Sequence, residues 1–175
     1  MGIIDDVCEQ LNNRTMCVAR GFKYVKRYLD ECGTSEPNVN LPERSTAHSA
    51  GYDFVSPKKY VIYPKESVKI PLGVKAYMLE NEYLALYVRS SLGIKKGLML
   101  MNTVGIIDSD YYNNPDNEGE IIACLYNTGD DPVTIEAGER IVQGIFNTYL
   151  VTDQDAAKRY KQFRQRMGGI GSTNE

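Results

Sequence analysis

Between residues 21 and 151 short apolar runs alternate with clusters of Gly, Pro, Asn and Asp, and the runs are too brief and too rich in Val, Ile, Tyr and Leu for helices. The clearest are FKYVKRYL (22–29), YVIYP (60–64), SVKIPLGVKAYM (67–78), EYLALYVR (82–89), GLMLMNTVGII (97–107), EIIACLYN (120–127), PVTIEAG (132–138) and RIVQGIFNTYLV (140–151). Many short strands at this spacing predict an all-β barrel or jelly-roll. In EYLALYVR one face carries Leu84, Leu86 and Val88 and the other Tyr83, Ala85 and Tyr87. Both faces are apolar, which predicts cover from both sides, one of them another subunit. Helical signal is confined to the edges of the chain. TDQDAAKRYKQFRQR (152–166) opens with Thr152 three residues before Asp155, a cap-like start to a short helix or tether. The organisation expected is an N-terminal extension of unassigned role (1–20), with a weak helix around IIDDVCEQL, one β-domain (21–151) and a C-terminal arm (152–175).

Composition narrows the chemistry. At 175 residues and 42% hydrophobic content the chain suits one soluble domain with a proper core. The net charge is −3, and Lys58-Lys59 and Lys95-Lys96 are isolated pairs, so no nucleic-acid footprint is expected. An anionic substrate therefore needs a local basic site. No apolar stretch reaches membrane-spanning length, and the start MGIIDDVCEQ places acids where a signal peptide has basic residues. A cytoplasmic location away from membranes is the expectation. The four cysteines, Cys8, Cys17, Cys32 and Cys124, lack C-x-x-C spacing and read as free thiols. The single histidine, His48, sits among polar neighbours as a solvated loop residue, which leaves hydrolytic chemistry to carboxylates and a hard metal such as Mg²⁺.

Five segments carry candidate chemistry, each open to a plain structural reading when taken alone. STAHSAGYDF (45–54) brings small residues to Asp53 at a strand start. RSSLGIKKG (89–97) sets Arg89 with Ser90 and Ser91 at the end of an apolar strand; these groups can grip phosphate oxygens or cap a helix. NTVGIIDSDYYNN (102–114) holds Gly105 in an apolar run, a sign of a bulge or a close backbone approach, and then Asp108 and Asp110. Asp108 after GII is costly to place unless solvated, paired or working, which makes it a candidate general base for water. AGERIVQGIF (137–146) puts Arg140 and Gln143 among apolar residues. RMGGIGSTNE (166–175) combines glycine amides with Ser172 and Thr173, as an anion nest or a loose terminus.

In order, AGYDF, RSSLG, NTVGIIDSDYY, GERIVQGIF and GGIGST resemble the five motifs of the trimeric dUTPase family, over about residues 21–174. The resemblance implies a β-jelly-roll (β-clip) homotrimer with shared active sites. The implied reaction is Mg²⁺-assisted hydrolysis of dUTP to dUMP and pyrophosphate, which keeps uracil out of DNA and supplies dUMP for dTTP synthesis. It gives Asp108 the role of base. Asn102 and a hairpin through Gly105, Ile106 and Ile107 read uracil, and Tyr111 packs under the deoxyribose. Arg89, Ser90, Ser91 and Gln143 contact phosphates, while Asp53 and Arg140 support the site. The metal is held by substrate phosphates and water rather than by side chains. The arm becomes a lid, with Ile170 over the base, where the family has an aromatic, and Gly171, Ser172 and Thr173 near the phosphates. The family's tail arginine falls at Gln165, between Arg164 and Arg166, of which Arg166 is preferred. Residues 112–118, YNNPDNE, lengthen the loop beside the sugar site. A dCTP deaminase of the same fold is the enzyme alternative; a phage-like enzyme that also binds a protein repressor is the other.

Overall fold

The computed structural model describes residues 19–30, 34, 39–156 and 166–169. Its largest sheet is antiparallel, in the order β2 (Glu43–Arg44), β3 (Tyr52–Val55), β12 (Arg140–Thr148), β7 (Glu82–Val88), β9 (Gly105–Asp108). A second sheet runs β5 (Ser67–Pro71), β10 (Ile122–Asn127), β8 (Leu98–Leu100). Two further pairs, β1 (Gly21–Tyr24) with β6 (Val74–Tyr77) and β4 (Tyr60–Ile62) with β11 (Val133–Ile135), complete the strands among the described residues. The all-β architecture expected from the apolar runs is observed.

The period-2 pattern decides what faces inward. In β10 Ala123, Leu125 and Asn127 are buried while Ile122, Cys124 and Tyr126 are half-covered, the alternation a strand with one core face requires. Ala123 and Leu125 join Phe54, Ile70, Leu84, Leu86 and Ile135 in one apolar core. Each such large side chain contributes roughly 1.5–3 kcal/mol by leaving water. Buried Asn127 is accommodated because its amide donates to the Ile62 and Asp131 carbonyls (3.0 and 2.8 Å). In β7, Leu84, Ala85 and Leu86 are all enclosed by the chain itself, and Tyr83 and Tyr87 are half-buried.

Several apolar runs break where periodicity gave no warning. SVKIPLGVKAYM splits into β5 and β6 around Gly73, whose φ is +72°. FKYVKRYL ends its strand at Tyr24 and turns through a 3-10 segment at Lys26–Tyr28. GLMLMNTVGII divides into β8 and β9, which pair with β10 and β7 respectively. The expected hairpin through Gly105 is therefore a corner between two sheets, turning at Thr103 with φ +61°.

Helix is not confined to the edges. α1 (Ser90–Lys96) stands in mid-chain, entered from extended Arg89 and stopped by Gly97, whose left-handed φ of 63° lets its N–H bond to the Leu92 carbonyl. Leu92 is its one buried side chain, so two turns leave no apolar stripe to detect. The predicted cap at Thr152 is present: its hydroxyl accepts from the Asp155 N–H at 3.2 Å and starts α2 (Asp153–Ala156). No helix among the described residues is long and apolar enough to cross a membrane.

Candidate active site

Two polar centres lie at opposite ends of β7. At one end β9 forms the outer edge of the five-stranded sheet, with Asp108 opposite Tyr83. A cleft of about 410 Å³ opens there, lined among others by Asn102, Gly105, Ile106, Ile107, Tyr111 and Arg166. The outer side of the β9 backbone has no neighbouring strand among the described residues, so its N–H and C=O groups remain available to a ligand. Gly105 is needed for packing as well, because a Cβ there would meet the Leu86 Cβ at 3.2 Å. Its place in the sequence thus reflects β7 behind it as much as the cleft in front.

Asp108 follows β9 into a 3-10 turn at Ser109–Tyr111, which swings Tyr111 inward until 6% of it is exposed. The tyrosine hydroxyl donates to the Glu120 carbonyl (2.8 Å) and accepts from the Asn117 amide (2.7 Å). Burial pushes the Asp108 carboxyl above the ordinary aspartate range; Arg166 pulls it back and Asp110 adds to the rise. Arg166 bridges the two acids, with Nη2 to Asp108 Oδ2 at 2.5 Å and Nε to Asp110 Oδ1 at 2.9 Å. Its guanidinium also lies 5.6 Å from the Tyr111 ring centre. Lys69 and Cys124, cross-strand partners on β5 and β10, reach the same cleft. Their segments read as ordinary strands, and no spacing in the sequence links them to residues 102–111.

At the other end, Asp53 on β3 receives two arginines: Arg89 Nε at 3.2 Å and Arg140 Nη1 at 3.3 Å. Ser45 completes the group, donating to Asp53 Oδ2 (2.6 Å) and accepting from Arg140 (3.0 Å). In sequence Ser45 is one small polar residue among several in STAHSAGYDF, and nothing local marks it as a partner of Arg140. Gln143 stands between Asp53 and Tyr87 in strand register, so β3 and β12 present two of the sequence candidates, Asp53 and Gln143, side by side. Ser90 and Ser91 are exposed on the first turn of α1, next to Arg89. Ile170, Gly171, Ser172 and Thr173 lie outside the described residues.

One chain therefore gathers its candidates into two groups. Six residue steps along β7 separate Tyr83 from Arg89, about 20 Å at ~3.3 Å per residue. Among the described residues no group of three or more His, Cys, Asp or Glu is placed to hold a metal ion. In class this is an all-β protein with an open cleft at an edge strand and a separate centre in which two arginines share one carboxylate.

Comparison with known proteins sharpens that class. The family model described as dUTPase matches residues 37–174. A deoxyuridine 5'-triphosphate nucleotidohydrolase from Lactococcus lactis is 47% identical over 154 residues, covering 88% of this chain and 97% of the relative. The crystal structure of a dUTPase from Streptococcus mutans aligns with TM-score 0.68 at 50% identity, over 76% of this chain and 98% of that one. A dUTPase of phage 80alpha shares the fold, with TM-score 0.63 at 22% identity over 90% and 99% of the two chains. This chain belongs to the dUTPase family, which sets aside the deaminase alternative.

Proposed function

We propose that the chain is a cytoplasmic dUTP diphosphatase that hydrolyses dUTP to dUMP and pyrophosphate as a homotrimer. The substrate is the one named for the Lactococcus lactis relative. The observation that carries the mechanism is Asp108, a partly desolvated carboxylate that ends the open edge strand β9 and is paired with Arg166 in the lining of the cleft. In this reading the edge of β9 and Asn102 hydrogen-bond uracil, and Tyr111 lies against the deoxyribose. Ionised Asp108 orients water and accepts its proton as the water oxygen bonds to phosphorus and pyrophosphate leaves. A raised pKa makes it a stronger base than an exposed aspartate.

Arg89, Ser90, Ser91 and Gln143 bind the triphosphate, with Asp53 and Arg140 fixing the arginine geometry. Because the two centres stand about a strand-length apart in one chain, the phosphate-binding group at each cleft comes from a neighbouring subunit. The donor set suits a metal that arrives on the substrate: Asp108 and Asp110 face Arg166, and no protein cage is assembled among the described residues. Mg²⁺ chelated by the triphosphate supplies charge neutralisation on the leaving group. Arg166 and the glycine-rich segment after it close over the nucleotide.

Pyrophosphate release from dUTP, dCTP, dTTP and UTP, with and without Mg²⁺, tests the reading. Rapid Mg²⁺-dependent turnover confined to dUTP is expected. Comparable turnover of another nucleotide would refute the specificity assigned to the β9 edge and Tyr111.

A further inference from the structure

Residues 112–118 form a loop that extends the chain beside the cleft, and surface insertions of this kind are ordinarily solvated and loosely held. This one is tied at every level. Asn114, 4% exposed, uses its whole amide: Nδ2 donates to the Tyr111 carbonyl (2.9 Å) and to Asn117 Oδ1 (2.8 Å), and Oδ1 accepts from the Asp116 and Asn117 N–H groups (both 3.1 Å). Asn117 is equally saturated. Its Oδ1 accepts from Asn114 and the Gly119 N–H (3.1 Å), and its Nδ2 donates to the Tyr111 hydroxyl (2.7 Å) and the Glu120 carbonyl (3.2 Å). An amide has two donors and two acceptor positions, so neither side chain can flip or swing without losing several bonds at once.

The base of the loop is equally constrained. Gly119 has φ +83°, and a Cβ there would stand 2.6 Å from the Tyr111 carbonyl oxygen. Outside, the buried Lys75 ammonium donates to Asn113 Oδ1 (2.6 Å) and Glu118 Oε1 (2.5 Å). The network reaches Tyr111 at two points, its carbonyl through Asn114 and its hydroxyl through Asn117.

We propose that the 112–118 loop is a brace for the sugar site: Asn117, fixed by Asn114, holds the Tyr111 hydroxyl and so sets the ring against which deoxyribose is distinguished from ribose. Asn117 is a positioning residue here, and the inference rests on the sugar-site reading of Tyr111. The physical logic is that an aromatic wall excludes a 2'-hydroxyl only while it stays in place. A ring free to tilt by a few tenths of an ångström admits the extra oxygen.

The test is the ratio of kcat/KM for dUTP to that for UTP in four variants, with thermal melting as the check on folding. Tyr111→Leu removes the ring and should collapse the ratio; if it does not, the sugar-site reading fails and the brace with it. Tyr111→Phe keeps the ring and every loop bond except those of the hydroxyl, and Asn117→Leu removes the amide. Each is expected to lower the ratio about fivefold, the scale of one hydrogen bond. The Tyr111→Phe/Asn117→Leu double variant should be no worse than the poorer single. An unchanged ratio in Tyr111→Phe, or additive losses in the double variant, overturns the brace even where Tyr111→Leu behaves as expected. Should Asn117→Leu not fold, Tyr111→Phe alone decides.

Discussion

The two ends of β7 solve different problems with different chemistry. The cleft end, around Asp108, combines an open backbone edge, the hydrogen-bonded amides behind Tyr111 and one arginine spanning two acids. The Asp53 end is built from charge, two arginines sharing one carboxylate. The contrast teaches how a chain of net charge −3 handles a polyanion. At the Asp53 centre two guanidinium groups share one carboxylate, whereas at the cleft a single arginine, Arg166, spans two acids beside an open backbone edge, where in the proposed reading a hydrogen-bond pattern discriminates the base.

The largest expected effect comes from the cleft end. Asp108→Asn should lower kcat by about 10³-fold, within the usual range for a lost general base, while dUTP affinity by calorimetry stays within a few-fold. Retained turnover would move the chemistry away from Asp108. Arg89→Ala should cut kcat/KM by about 10²-fold, the order expected when a transition-state donor is removed. Mixing that variant with Asp108→Asn after joint refolding should restore a measurable fraction of activity, since some sites then draw each centre from an intact copy. No recovery in the mixture would place both centres in one chain's own site.

A smaller effect separates the ends by titration. Activity requires Asp108 ionised, so kcat/KM falls as pH drops through its raised pKa. Asp110→Asn removes a neighbouring negative charge and should shift that acid limb to lower pH; Arg166→Gln removes a positive one and should shift it higher. Limbs that do not move, or move in the opposite sense, would break the link between burial of the cleft and strength of its base.

The smallest effect concerns stability. Glu82, buried at the cleft end of β7, accepts from Arg20 and from the Leu79 N–H. The Arg20 hydrogen bond holds its carboxyl below the ordinary glutamate range, against the opposing pull of burial. Its contribution is therefore present above about pH 4.3, the unfolded value, and fades as pH falls through the lower folded value. Glu82→Ala should cost about 1–2 kcal/mol at neutral pH and flatten the acid side of the Tm profile. An unaltered acid side would show that this end owes nothing to the ion pair.

Much of this was legible in the sequence, for identifiable reasons. β7 and β10 announce themselves as apolar runs of six or seven residues rich in Leu, Ile and Tyr and bounded by polar or turn residues. Asp108 stood out because an acid after three apolar residues needs an explanation, and the structure supplies one in its partial burial. What escaped was short or non-local. α1 buries a single leucine and so has no periodic face. The split of residues 97–107 depends on which sheet each half joins, a tertiary choice that local pattern does not encode. Ser45 meets Arg140 across 95 positions, and Arg166 meets Asp108 across 58. Asn114 and Asn117 lie in the 112–118 segment that the sequence shows only as a longer loop; their task of holding a tyrosine emerges only when the loop is folded.

The length of β7 carries one more consequence. Under the shared-site reading, the separation of the two centres makes a lone chain half an enzyme, and catalysis becomes a matter of mass action between copies. On dilution towards the dissociation constant of the assembly, activity per chain declines before any chain unfolds. The dissociation constant of the assembly thereby sets the protein concentration at which the cell can rely on the reaction.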